Sequence, residues 1–217
     1  MNITSSSIEG YKGLEVPYTL LSTTDHPKGL AIMFPGQGYT VQGPLMHYPT
    51  GIFLHENIAV LHINYQYSSK EYNDLTDSEF DEAMMTDSKK VIDEVLEGTS
   101  YDAYYLAAKS IGTIPLSGEL SRKEFKDAKI IWLTPLLKEE IVYETLKESR
   151  HSGICFLGDS DHHYVEERFT KLSSNPHLQL HLIPGANHSL EQDFHVLNSM
   201  DLHKGIMTAI ETFIKEA

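Results

Sequence analysis

Three short stretches of this sequence carry side chains that together can activate a hydroxyl for attack on an acyl carbon. The first, Tyr104 to Thr113, begins as an apolar run of strand type. It ends in small residues suited to a tight turn into a helix, with Ser110 two places after Ala108 and two before Gly112. A strand that reverses so sharply brings two backbones together at the flanking positions, where only small side chains fit. It also holds the central residue in a strained conformation with its hydroxyl raised. The second stretch, Gly158-Asp159-Ser160-Asp161, offers two carboxylates. The third, Gly185-Ala186-Asn187-His188-Ser189-Leu190-Glu191, offers an imidazole. The division of labour follows from acidity. A serine hydroxyl is too weak an acid to attack an ester unaided, so a base must take its proton. The imidazole of His188 titrates nearest neutral pH and can take that proton and return it to a leaving group. A carboxylate on its far side fixes the tautomer and stabilises the imidazolium. Asp161 is the expected carboxylate, with Asp159 in reserve two residues earlier in the same loop.

These groups meet only if the chain brings their loops to one place. Lys28–Phe34, Asn57–Tyr65, Ala128–Pro135, Gly153–Gly158 and Leu178–Gly185 read as further strands, and continuous apolar runs are the mark of strands buried on both faces. Val16–Ser22 reads as an earlier strand placed near an edge, because Pro17 cannot donate to a central ladder. From Thr76 to Leu96, Phe80, Ala83, Met84, Val91 and Val95 recur at helical spacing, and Thr76 with Glu79 suits a capping box. A second helix is expected over 138–149. A closing helix should carry Met200, Ile206, Met207, Ile210, Phe213 and Ile214 on one side. Pro115 should kink or shorten the first turn of the helix after Ser110. Alternating strands and helices imply an α/β fold with a mostly parallel sheet covered on both faces and an antiparallel N-terminal edge. Ligands of such sheets bind at the carboxyl ends of the strands, and all three stretches follow strands.

In this order and placement the sequence resembles the α/β-hydrolases. Ala108-Lys109-Ser110-Ile111-Gly112 is similar to their Gly-x-Ser-x-Gly nucleophile elbow with alanine for the first glycine. Gly158 to Asp161 and Ala186 to Glu191 resemble their acid and histidine loops, and the chain order is serine, acid, histidine. The resemblance implies the α/β-hydrolase fold over 1–217 as one domain, with no large cap because the connection after Thr134 is short. It implies that the backbone amides of Ile111 and Gln37 bind the oxyanion, with Gly38 as the alternative to Gln37. Pro35-Gly36 stands where many relatives carry His-Gly, so a side chain that braces this loop is missing. Tyr39, His47 and Tyr48 are expected on the overhanging loop as walls of a substrate pocket. The implied activity is hydrolysis of a small carboxylic ester, thioester or lactone through an acyl-enzyme, without metal or other cofactor. Acyl transfer with the same three residues, or a non-catalytic binding protein on the same fold, are the alternatives.

Composition narrows the partners. A net charge of −14, from 17 basic and 31 acidic residues, repels nucleic acid and anionic membrane surfaces and leaves a small-molecule acyl substrate. A monomer or homodimer is expected. The single cysteine, Cys155, excludes an internal disulfide and fits a cytoplasmic, reducing setting as a buried thiol. Met1–Ser7 lacks the basic and apolar segments of a signal peptide, and no apolar run is long enough to span a bilayer. His162 and His163 read as solvated rather than as metal ligands. Lys109 must be paired or reach water, since a lone buried charge is costly; a salt bridge is favoured over a role in binding an acidic substrate.

Overall fold

The computed structural model describes residues 1–67 and 69–216. Its centre is an eight-stranded sheet of β1 (Asn2–Glu9), β2 (Glu15–Ser22), β3 (Leu30–Phe34), β4 (Ala59–Ile63), β5 (Tyr104–Lys109), β6 (Lys129–Leu133), β7 (Gly153–Gly158) and β8 (Leu178–Ile183). The strand order is β1-β2-β4-β3-β5-β6-β7-β8. β2 is antiparallel to both its neighbours, and every pairing from β4 to β8 is parallel. This is the mostly parallel sheet with an antiparallel N-terminal edge that the sequence implies.

The six helices are α1 (Pro44–His55), α2 (Asp77–Leu96), α3 (Thr113–Glu119), α4 (Glu140–Glu148), α5 (Glu166–Leu172) and α6 (Val196–Lys215). Because strand side chains alternate between faces, each central strand feeds two cores. Leu30, Ile32 and Phe34 of β3 and Leu106 and Ala108 of β5 face the core under α2, α3, α4 and α5. Ala31, Met33 and Ala107 face the second core under α1 and α6. Lys109, one place after Ala108, therefore falls on the α1 and α6 side. The expected capping box opens α2: Thr76 Oγ1 accepts the Glu79 amide at 3.3 Å, and Glu79 Oε2 accepts the Thr76 amide at 3.0 Å. Pro115 sits in the first turn of α3, which is entered through a short 3-10 turn at Ser110–Gly112. Only residues 134–139 join β6 to α4, which leaves no room for a cap there.

One expectation, the apolar stripe of α6, is corrected, and other details are added. β2 lies near the edge, as expected, one strand in, with β1 paired along all of it; the Pro17 carbonyl accepts the Asn64 amide at 2.8 Å where the β2–β4 ladder ends. α1 was not anticipated, since Pro44, Pro49 and Gly51 disguise it, although proline at the first helical position is favourable. Residues 161–164 form a turn, and α5 begins at Glu166. Met200 is exposed, and the inward stripe of α6 is Ser199, His203, Ile206, Ile210, Phe213 and Ile214. Among the described residues no helix is long and apolar enough to cross a membrane.

Candidate active site

Ser110 follows the central strand β5 and has φ +53°, the left-handed region that non-glycine residues rarely enter. The elbow closes tightly behind it. A methyl group built on Gly112 would run into the carbonyls of Phe34 and Pro35, so only glycine lets the turn lie against the end of β3. Thr113 Oγ1 donates to the Ser110 carbonyl at 2.6 Å and pins the turn from the helix side.

Asp161 follows β7 and His188 follows β8, and the two loops are in backbone contact. A Cβ on Gly158 would collide with the Ala186 carbonyl, which also accepts the Ser160 amide at 3.1 Å. The side chains converge accordingly. Ser110 Oγ lies 2.7 Å from His188 Nε2, and His188 Nδ1 donates to Asp161 Oδ2 at 2.7 Å. The other carboxylate oxygen, Oδ1, accepts the His163 amide at 2.8 Å, so both oxygens of Asp161 are engaged. Burial raises the pKa of this carboxyl, but the bonds from His188 and the His163 amide outweigh it and hold Asp161 below its ordinary range. Asp159 does not face the imidazole. Its Oδ1 accepts the Gly185 amide at 2.7 Å and stitches the acid loop to the turn before His188.

The histidine loop is held by its own chain. Asn187 Oδ1 accepts the amides of Ser189 at 2.8 Å and Glu191 at 3.2 Å. Leu190, at φ +55°, is fully buried in the α1 and α6 core. His203 Nε2 donates to the Ser189 carbonyl at 3.2 Å, tying the loop to α6. His163 is half-buried against His188, with ring centroids 5.1 Å apart. Burial first, then the neighbouring imidazoles, depress its pKa to about 4, so a neutral ring sits beside His188. It is not the solvated residue expected, although His162, with 68% of its side chain exposed, is. Asp161, His162 and His188 offer ligand atoms within 4.8 Å of one another, a donor cluster the sequence reading did not find. Two of the three are already bonded to each other, so a cation there would compete with the Asp161–His188 bond.

The loop after β3 passes directly over Ser110. A Cβ on Gly36 would lie 3.3 Å from that of Ser110, and the turn is closed by the Tyr39 amide on the Gly36 carbonyl at 3.2 Å, with Gly38 at φ +67°. Gln37 is thus part of the turn that packs on Ser110, and Ile111 is the residue that follows the serine. The brace the sequence seemed to lack is Tyr65, whose hydroxyl donates to the Pro35 carbonyl at 2.6 Å. Nothing in the local sequence marks it; it comes from two residues beyond the end of β4. A cleft of about 490 Å³ opens beside this loop, lined among others by Gln37, Asn64, Tyr65 and Gln66.

None of the three expected pocket residues, Tyr39, His47 and Tyr48, lines this cleft. Tyr39 turns inward: its hydroxyl accepts the Leu45 amide at 2.9 Å and its ring covers Lys109. His47 and Tyr48 are exposed on α1 rather than on a loop, 5.7 Å apart ring to ring. Tyr48 borders a separate cleft of about 430 Å³ against α6. Ile111 is partly buried at the elbow.

Lys109 is 2% exposed and, among the described residues, forms no ion pair, so the salt bridge favoured for it is not found. Its ammonium donates to the His188 carbonyl at 3.1 Å and to Thr134 Oγ1 at 3.4 Å, and lies 4.4 Å from the centre of the Tyr39 ring. Burial pulls its pKa from 10.5 to about 8, against the opposing pull of Asp161 and Glu191. The penalty is therefore fully present below about pH 8; between there and 10.5 the unfolded chain binds more protons, and stability rises with pH. The rise attributable to this group is at most about 3 kcal/mol. Lys109→Met should flatten it in urea unfolding followed across that range; an unchanged slope would mean that burying the ammonium costs nothing.

No protein-family model matches the chain, nor does any curated protein sequence. Solved structures do. An α/β serine hydrolase homologue from Coxiella burnetii superposes with a TM-score of 0.69 at 15% identity, over 95% of this chain and 96% of its own. A serine hydrolase without a lid from Xanthomonas campestris gives 0.69 at 13% identity over 99% and 96%. Est1E from Butyrivibrio proteoclasticus, solved with ferulic acid bound, gives 0.71 at 15% identity over 95% and 96%.

Proposed function

We propose, from its α/β-hydrolase fold, that this chain is a serine hydrolase of small carboxylic esters, thioesters or lactones. The observation that carries the reading is the unbroken chain from Ser110 Oγ through the His188 ring to Asp161, 2.7 Å at each step. In this mechanism His188 takes the hydroxyl proton as Ser110 attacks the acyl carbon, and the Asp161 carboxylate steadies the imidazolium. The amides of Gln37 and Ile111 receive the oxyanion, and His188 returns the proton to the departing alcohol, thiol or ring oxygen. Water, deprotonated by the same imidazole, then cleaves the acyl-enzyme. The cleft beside Gln37 and Tyr65 has no charged group among its lining residues, which supports an uncharged substrate moiety there. The lone, buried cysteine fits a cytoplasmic setting, and burial pushes its thiol pKa up and out of competition with the serine.

A fluorophosphonate tests this directly. It should label Ser110 of the native protein and leave folded Ser110→Ala unlabelled. Native protein that takes no label while retaining its fold would instead favour a binding protein. A panel of esters, thioesters and lactones run beside Ser110→Ala then ranks the substrate.

A further inference from the structure

We propose that Lys109 is a positioning residue that ties the main chain of His188 to the nucleophile strand and so sets the distance from imidazole to Ser110. The inference rests on the hydrolase reading above. Lys109 and Ser110 are adjacent in sequence, and the Lys109 ammonium reaches the His188 carbonyl at 3.1 Å, while the His188 ring reaches Ser110 Oγ at 2.7 Å. Serine and histidine are thereby joined twice, once through the imidazole and once through the lysine, in a closed circuit that does not pass through Asp161. The ammonium has no freedom to do otherwise. Thr134 holds it from the end of β6, at φ +47°, an unusual conformation for a β-branched residue. The Tyr39 ring closes the other side, itself fixed through its hydroxyl by the Leu45 amide. Lys109 is too deeply buried to touch a substrate, so its effect must pass through His188.

The groups facing the ammonium are Tyr39 from the loop after β3, Thr134 after β6, Asp161 after β7, and His188 and Glu191 after β8. Once the amine loses its proton, near pH 8, the attraction to the Tyr39 ring goes and the bond to the His188 carbonyl weakens to a neutral one. The tether should then slacken at alkaline pH.

The experiment compares native protein, Lys109→Met and Thr134→Val in the rate of Ser110 labelling by a fluorophosphonate from acid to alkaline pH. The ring-nitrogen resonances of His188 are followed in parallel. Lys109→Met should label about a hundredfold more slowly, the order of loss for a reacting group misplaced by about 1 Å. Its alkaline decline should vanish and its His188 resonances should shift. Thr134→Val, which keeps the cation and loses one anchor, should fall in between, and it carries the test if Lys109→Met does not fold. Native-like rates and profile in a folded Lys109→Met, or His188 resonances identical to the native ones, would overturn the tether. Native protein that takes no label defeats the hydrolase reading instead, and the His188 resonances still decide whether the lysine holds the ring.

Discussion

Replacing His188 with alanine is expected to lower kcat about a million-fold, the loss seen when the base of such a unit is removed. Ser110 would remain on its strained turn, but no other described group stands within hydrogen-bond reach to take its proton. Asp161→Asn should cost about ten-thousand-fold, because the amide cannot stabilise an imidazolium and favours the wrong tautomer. The two variants combined should be little worse than His188→Ala alone, since the residues act as one unit. Steady-state rates of the purified variants on the best ester of the panel check this. An Asp161→Asn enzyme within tenfold of native would remove Asp161 from its role. The Asp161 carboxylate, held below its usual range by the bonds from His188 and the His163 amide despite its burial, should stay charged on the acid side of the rate profile.

Gly158→Ala is expected to damage the site without touching any of its reacting atoms. The new methyl would collide with the Ala186 carbonyl, which is backbone and cannot rotate aside, and would lie 3.1 Å from the Ala186 side chain. Relief requires the loops bearing Asp161 and His188 to part. That would stretch the Ser160–Ala186 bond at 3.1 Å and the Asp159–Gly185 bond at 2.7 Å. A separation of about 1 Å should lower kcat/KM about a hundredfold, and overpacking should destabilise the protein by about 1–3 kcal/mol. Gly205→Ala, in open space on α6, is the matched control and should gain up to about 1 kcal/mol. Thermal unfolding and ester kinetics on both variants distinguish them; a Gly158→Ala protein with native activity would mean that the two loops adjust independently.

What the sequence disclosed tracks burial. Strands β3 to β7 are apolar almost throughout because helices cover both faces of the sheet, and that composition is readable without coordinates. β1 is hidden for the converse reason: Ser5, Ser6 and Ser7 lie exposed on an edge, so no apolar alternation marks it. Ser110, Asp161 and His188 were legible because each follows a strand and the chemistry restricts the residue type. Partners drawn from several loops were not. The contacts of Lys109 with Thr134, His188 and Tyr39, and the Tyr65 brace on Pro35, join segments whose spacing in sequence carries no signal. Tyr39 and Tyr48 show the same limit from the other side, since side-chain type suggested a pocket and backbone direction sent one ring inward and the other to the exposed side of α1.

Ser110 and His188 also differ in how firmly the sheet holds them. Ser110 extends from β5, which has paired strands on both sides, whereas His188 follows β8, which among the described residues has no partner on its outer side and whose residues are only half covered. Local opening begins where burial is least. Gentle heat should therefore detach the base while the sheet's centre is intact, so that catalytic loss precedes melting and reverses on cooling.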